Sequence, residues 1–210
     1  MEPKSGTGIL HFWTSQQNSR DKRNPQPVVY LFVAIDRTSK FAFTELHAKA
    51  TTRTSADFLR TLIKTVPYKI HTVLTDNGIH FADPKGETWA PAVIRQMIAR
   101  KEPFRAHSFE YACALANIDH RLTKPKHPWT NGQVEHMNRT IKDATVRLFH
   151  YDDNDLLRSH LAGFIQAYNC AKRLKTLKGL TPYEFICNCW TSQPERFILN
   201  PLRQMPGLTS

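Results

Sequence analysis

Long apolar runs are missing from this sequence. No stretch approaches the roughly 20 residues that a membrane-spanning helix needs, so the chain is not expected to enter a bilayer. The opening stretch, MEPKSGTGILHFWTSQQ, lacks the apolar core of a secretory signal. Cysteine is scarce too, with only Cys113, Cys170, Cys187 and Cys189. Four scattered cysteines build no disulfide framework. Cys187-Asn188-Cys189 has no second Cys or His cluster at zinc-finger spacing. Structural zinc is therefore not expected, and a reducing cytoplasm fits this usage best. Acid is in deficit. Asp and Glu number 18 against 29 Lys and Arg, giving a formal charge of +11 and a pI near 9.7. That balance points to a polyanionic partner, nucleic acid before membrane. No repeat and no low-complexity block is present.

What remains is enough for one ordinary domain. The chain has 210 residues, and 40% of them are hydrophobic, so it can build a real core. Residues 1–27 read as a polar leader of loop or disordered character. Gly8–Trp13 is their one candidate strand. Val28–Ile35, VVYLFVAI, is a β-branched and aromatic run that reads as a buried strand. Asp36–Ser39 supplies a turn, and Lys40–Leu46 alternates as a hairpin partner. Thr52–Val66 has helical spacing, with Thr54 or Ser55 as its cap, and Pro67 ends it. Lys69–Leu74 reads as a strand. Ala92–Arg100 and Ser108–Asn117 read as helices, Ile118–Leu122 as a short strand, then Gln133–His150 and Asn154–Cys170 as helices. A last short helix follows Thr181-Pro182. A hairpin feeding strand–helix alternation predicts an α/β fold, a mixed sheet flanked by helices.

Two stretches carry chemistry. Thr75-Asp76-Asn77-Gly78 sets a carboxylate where a strand ends, and open α/β sheets collect ligands beyond strand carboxyl ends. An ordinary Asn-Gly turn explains the same four residues. Lys124–Lys142, KPKHPWTNGQVEHMNRTIK, begins as a proline-broken basic loop and ends as a helix. Glu135 leaves that helix's apolar stripe, and Asn138, Arg139 and Lys142 follow on its face at i+3, i+4 and i+7. A first-turn Glu favoured by the helix dipole, with solvated cations below it, explains this equally well. Together the two stretches say more, because two carboxylates from neighbouring elements can share a hard cation.

VLTDNGIHF followed by HPWTNGQVEHMNRTIK closely resembles the integrase catalytic core of insertion-sequence transposases. These DDE enzymes are related to retroviral integrases and have a ribonuclease H-like fold. YLFVAIDRTSKFAF resembles their second strand, turn and third strand. NCAKRLKTLKGLTPYEFI resembles the segment that closes the domain in bacterial members. The likeness covers roughly Val28 to Gly207. It divides the chain into a poorly matching leader (1–27), a catalytic core (28–175) and a closing segment (176–210).

The resemblance implies DNA transposition or integration by two Mg²⁺ or Mn²⁺ ions held by three carboxylates. Asp76 matches the family's second acid and Glu135 its third. Arg139 and Lys142 match helix positions that touch DNA. Asn131 matches the turn that delivers the catalytic helix. Lys124, Lys126 and Asn138, with the run Lys172, Arg173, Lys175 and Lys178, complete the expected DNA contacts. The resemblance implies DNA as partner, allows a homo-oligomer and suggests a bacterial nucleoid location.

Two features depart from the family. Fifty-eight residues separate Asp76 from Glu135, more than is usual, and the excess matches residues 83–105, read as an insertion. The family's first acid should lie on a strand upstream of YLFVAID, but the only acids in residues 1–27 are Glu2 and Asp21, neither on a strand. Trp13 stands about where the acid belongs. Asp36 could serve instead, although a hairpin-turn aspartate is the simpler account. The expectation is a transposase copy that has lost its beginning and its activity. The alternatives are a non-catalytic DNA-binding relic, or a nuclease of the same fold using Asp36, Asp76 and Glu135. The histidines His120, His127 and His136 flank the site and read as surface or loop residues. The tryptophans Trp89 and Trp190 read as packing residues.

Overall fold

The strand that the composition marks least clearly is the centre of the sheet. In a computed structural model, which describes residues 8–17, 28–83, 91–102, 106–123, 132–149, 151 and 153–203, β1 runs from Ile9 to Gln17. Its second half, Thr14-Ser15-Gln16-Gln17, is polar, so an apolar criterion stops at Trp13. Pairing with β2 (Val29–Asp36) carries it further. The two are antiparallel, from Leu10 opposite Asp36 to Gln17 opposite Val29. β3 (Ala42–His47) closes the hairpin on β2. β4 (Thr72–Thr75) and β5 (Asp119–Leu122) add in parallel on the other side of β1. The sheet order is β3-β2-β1-β4-β5.

Strand alternation gives each face its own core. On one face Leu10, Phe12, Phe32, Ala34 and Val73 meet α1 (Thr52–Thr65) and α3 (Ser108–Leu115). Phe12 is fully buried and stands edge-on to Phe58 and Phe109, with ring centroids 5.4 and 5.7 Å apart. Such edge contacts suit the ring quadrupoles. On the other face Val29, Leu31, Val33 and Ile35 meet α4 (Gly132–Ala144) and α5 (Asn154–Cys170). The helix α2 (Pro91–Arg100) packs on α3, and α6 (Pro182–Ser192) packs against the end of α5.

The edge strand β3 is guarded at its start. The Asn169 amide accepts from Ala42 N–H at 2.9 Å and donates to its carbonyl at 2.8 Å. A side chain thus takes the place of a further strand.

Some boundaries differ from the sequence reading, each for a local reason. Thr51, rather than Thr54 or Ser55, caps α1, in a reciprocal capping box with Thr54. The long helix expected to reach His150 ends at Ala144. There the Thr145 hydroxyl donates back to the Ile141 carbonyl at 2.7 Å, and Arg147 N–H reaches Lys142. The turn that results replaces another helical turn. The last helix keeps its expected start, with a Thr181–Glu184 capping box and Pro182 in the first turn.

Candidate active site

The TDNG stretch leaves β4 at its carboxyl end, as its spacing predicts. Asp76 follows Thr75, the last residue of the strand. Its Oδ1 accepts the Gly78 N–H at 3.0 Å, closing an Asx turn. A Cβ on residue 78 would sit 2.8 Å from that oxygen, so the turn requires glycine for close approach. The loop then dives inward at Phe81, which is fully buried among Phe12, Phe32 and Phe109. Phe81 N–H donates to the Gly78 carbonyl at 2.9 Å. Phe81 is thus the anchor that fixes the Asp76 turn. Its signal in the sequence was an aromatic residue five positions after the acid, in TDNGIHF.

A second anchor comes from α3. His107 Nδ1 accepts the Phe109 N–H at 3.2 Å as the helix N-cap. Its Nε2 hydrogen-bonds the Ile79 carbonyl at 3.1 Å. A carbonyl only accepts, so the neutral Nε2–H tautomer serves both bonds. Burial lowers the His107 pKa, in keeping with that neutral form. Sequence reading passed over His107, which lies beyond the acid motif.

The electrostatics follow from burial. Asp76 is partly buried, which raises its carboxyl pKa, while the Gly78 N–H and nearby His80 pull it back. On β5, His120 Nε2 lies 2.9 Å from Thr75 Oγ1. Burial pushes His120 down to about 4. Its folded pKa is depressed below the ordinary His value of about 6.5. Its contribution to stability is therefore full above that value and is lost as pH falls towards 4. The loss should reach about 3 kcal/mol, the equivalent of that shift. Urea unfolding at neutral pH and near pH 4 checks this. His120→Gln should flatten the difference between the two conditions by that amount; an unchanged difference removes His120 as the cause.

Strand register fixes the neighbour of Asp76. His11 pairs with Leu74 across the parallel β1–β4 ladder. Carried two residues further, position 13 stands beside Asp76. Leu10 and Phe12 belong to the α1 face, so alternation assigns position 13 to the α4 face. Val73 also belongs to the α1 face, which assigns Asp76 to the α4 face as well. Position 13 pairs on its other side with Val33, which is buried under α4.

Glu135 lies in the first turn of α4, exposed beside buried Val134. Asn138, one turn on, accepts a hydrogen bond from Ser15 Oγ at 3.1 Å. The bond ties α4 to the half of β1 that ends at the Asp76 rim. Asn138 therefore has a structural task besides any contact with DNA. Arg139 is exposed and Lys142 is half-buried. Burial, with Arg147 nearby, lowers the Lys142 pKa.

Asp36 is elsewhere. It ends β2, which is antiparallel to β1, and so lies at the opposite rim from Asp76. It shares the α1 face with its pairing partner Leu10, not the α4 face. Two strand spacings across and three residues along put the two aspartates about 14 Å apart. Asp36 is fully buried in the hairpin turn. Oδ2 accepts Gly8 N–H at 2.7 Å, and Oδ1 accepts Thr38 and Ser39 N–H at 2.7 and 2.8 Å. Burial nevertheless raises its pKa.

The run Lys172, Arg173, Lys175 and Lys178 lies in the exposed loop after α5. The sequence-predicted residues Lys124, Lys126 and Asn131 lie outside the described residues, as do Trp89 and His127. His136 is exposed on α4, and half-buried Trp190 packs edge-on to Phe197 at 5.4 Å.

A two-metal centre does not fit these donors. Position 13 is a tryptophan in the sequence, a residue type with no oxygen to give a hard cation. Among the described residues no three Asp, Glu, His or Cys side chains gather to hold an ion.

Among the described residues, five strands in this order form a mixed sheet with helices on both faces, which is the ribonuclease H-like fold. The chain belongs to the integrase core domain family, whose models match residues 9–128 and 116–182. The family is one of DNA integration and transposition. No curated protein matches the chain. Three solved structures share the fold, each 17% identical to it. A chain of the simian T-cell lymphotropic virus intasome, in complex with PP2A regulatory subunit B56 gamma, aligns with a TM-score of 0.61 over 85% of this chain. This chain spans only about half, 53%, of that one. The BIV integrase catalytic core aligns at 0.60, over 90% of this chain and 99% of its own. The HTLV-2 integrase catalytic core, in its dimeric form with magnesium, aligns at 0.59, over 85% and 94%. At this identity the three carry the fold alone.

Proposed function

We propose that this chain is a DNA-binding member of the DDE transposase and integrase lineage that does not itself perform strand transfer. The observation that carries the reading is that position 13, which the β1–β4 register would bring alongside Asp76 two residues past the His11–Leu74 pair, is a tryptophan. Two-metal phosphoryl transfer needs an acid there to bridge the ions and align the nucleophile. Asp76 and Glu135 alone could hold one ion loosely, without setting the geometry at the phosphate. The nuclease reading needs Asp36 within reach of Asp76, and opposite faces at about 14 Å weigh against it. Self-association belongs to the same reading and is supported by the dimeric form of the HTLV-2 core.

DNA binding is supported by the charge of +11 and by the exposed Arg139 with Lys142 on α4. Binding to a labelled linear duplex should weaken steeply with salt and depend little on sequence, since counterion release is a backbone effect. Replacing Arg139 and Lys142 by Ala should reduce the slope of log K against log salt by about 1 to 2. Fluorescence anisotropy across a salt series measures it. Affinity indifferent to salt would end the DNA-binding reading.

A further inference from the structure

We propose that the loop after α5 is a second, separate contact for the DNA backbone, made by Lys172, Lys175 and Lys178 without Arg173. This inference rests on the DNA-binding reading above and extends it to the other end of the sheet.

The placement comes first. Asn169, near the end of α5, brackets the backbone of Ala42. Ala42 pairs with Ile35, beside the Asp36 rim. Three strand spacings and two residues of rise put Ala42 about 16 Å from Asp76. The loop begins just beyond Asn169. A duplex advances that distance in about five base pairs, at 3.4 Å each. A phosphate track held near Asp76 can therefore meet the loop half a turn further on. The sequence alone merges these cations with those of α4; the sheet separates the loop from the Asp76 rim.

The loop is also built to hold its shape. Leu174 N–H donates to the Leu180 carbonyl and Gly179 N–H to the Leu174 carbonyl, each at 3.0 Å. Leu177 is buried beneath. Lys178 sits in the left-handed region at φ 56°, followed by Gly179 at φ 85°. A lysine rarely adopts that conformation, so the surrounding bonds must impose it. The result presents Lys172, Lys175 and Lys178 outward, all exposed. Lys172 leans over the Tyr168 ring, its Nζ 5.6 Å from the centroid.

Arg173 is exposed as well, but its guanidinium has partners within the fold. One guanidinium N–H donates to the Gly179 carbonyl at 2.9 Å. The fork also meets both Glu184 oxygens at 3.5 Å. Glu184 in turn accepts Thr181 N–H at 2.9 Å in the α6 capping box. Arg173 thus ties the loop to α6, with the Glu184 carboxylate beside its guanidinium. Three lysines and no unanswered carboxylate within the loop favour an evenly spaced polyanion. The overall charge and the family favour duplex DNA over an acidic peptide.

The test is a salt series with the full chain and a linear duplex. Lys172→Gln, Lys175→Gln and Lys178→Gln together should lower the salt slope by about 2 to 3, since each phosphate contact contributes about 0.9. Arg173→Gln should lower it by much less than one contact. Thermal melting confirms that the triple variant folds, as exposed lysines should permit. An unchanged slope in the triple variant overturns the second contact. If the Arg139 and Lys142 variant still loses slope, the DNA-binding reading survives without it. A loss in Arg173→Gln equal to that of a single lysine variant overturns the exclusion of Arg173. A triple variant that keeps its DNA slope but loses binding to anionic vesicles assigns the loop to a lipid surface instead.

Discussion

Trp13→Asp should give a chain that cleaves DNA in a metal-dependent way. With Mg²⁺ or Mn²⁺ and DNA bearing the ends of a parent element, the unmodified chain should yield no nicked or joined product above background. Asp76 waits at the rim in a turn fixed by Gly78 and buried Phe81. The neighbouring position on β1 falls on the same face by register. A carboxylate placed there would stand one strand spacing, about 4.8 Å, from the Asp76 backbone. That separation suits two acids sharing a cation, which offsets their repulsion. Positioning and charge stabilisation supply most of the catalysis of phosphoryl transfer. One missing electrostatic element of that kind is worth about a hundred- to a thousandfold or more. Adding Asp76→Asn or Glu135→Gln to Trp13→Asp should abolish the gain. Calorimetric Mn²⁺ titration gives an independent reading, with tighter binding in Trp13→Asp and none of the increase in the double variants. Robust products from the unmodified chain that vanish in Asp76→Asn would show that it was active all along.

The parts of this molecule that the sequence made legible share one property: their signal is local. VYLFVAID needs no partner to read as a strand, because a strand buried on both faces is a nearly continuous apolar run. TDNG and the Thr181–Glu184 capping box are likewise written in adjacent residues. The end of β1 is not. Thr14–Gln17 is a strand because β2 pairs with it, and nothing in its own composition requires that. The same holds for the site. Asp76 and Glu135 could be named as candidates from their motifs, but the Ser15–Asn138 and His107–Ile79 bonds join residues far apart in the chain. The role of Arg173 was hidden for a related reason. A cation in a basic run looks like its neighbours until the fold brings Glu184 and the Gly179 carbonyl to it.

Asp36→Ala should cost roughly 3 kcal/mol or more of stability, by the penalty for orphaned buried donors, and should leave DNA affinity in place. The carboxylate is fully buried and receives three backbone N–H groups, from Gly8, Thr38 and Ser39. Alanine supplies no acceptor for these buried donors. Each buried donor left alone costs about 1 to 3 kcal/mol. The Gly8 bond matters most for the architecture. It joins the start of β1 to the end of β2, beside Arg37 N–H bonded to the Ile9 carbonyl at 2.8 Å. Gly8 itself is held at φ 109°, where an added Cβ would meet the Lys69 carbonyl at 2.4 Å. The rim therefore has little freedom to relax around the lost carboxylate. Asp36→Asn should cost less, because its amide oxygen can still accept from Thr38 and Ser39 while its NH₂ faces the Gly8 donor. Urea midpoints should thus fall in the order native, Asn, Ala. Both variants should keep the salt slope for duplex DNA at temperatures where they remain folded. If Asp36→Ala melts like the unmodified chain, the turn does not depend on this carboxylate. If Asp36→Asn instead abolished a metal-dependent cleavage without lowering stability, Asp36 would be an acid of the reaction, and the nuclease reading would replace the one argued here.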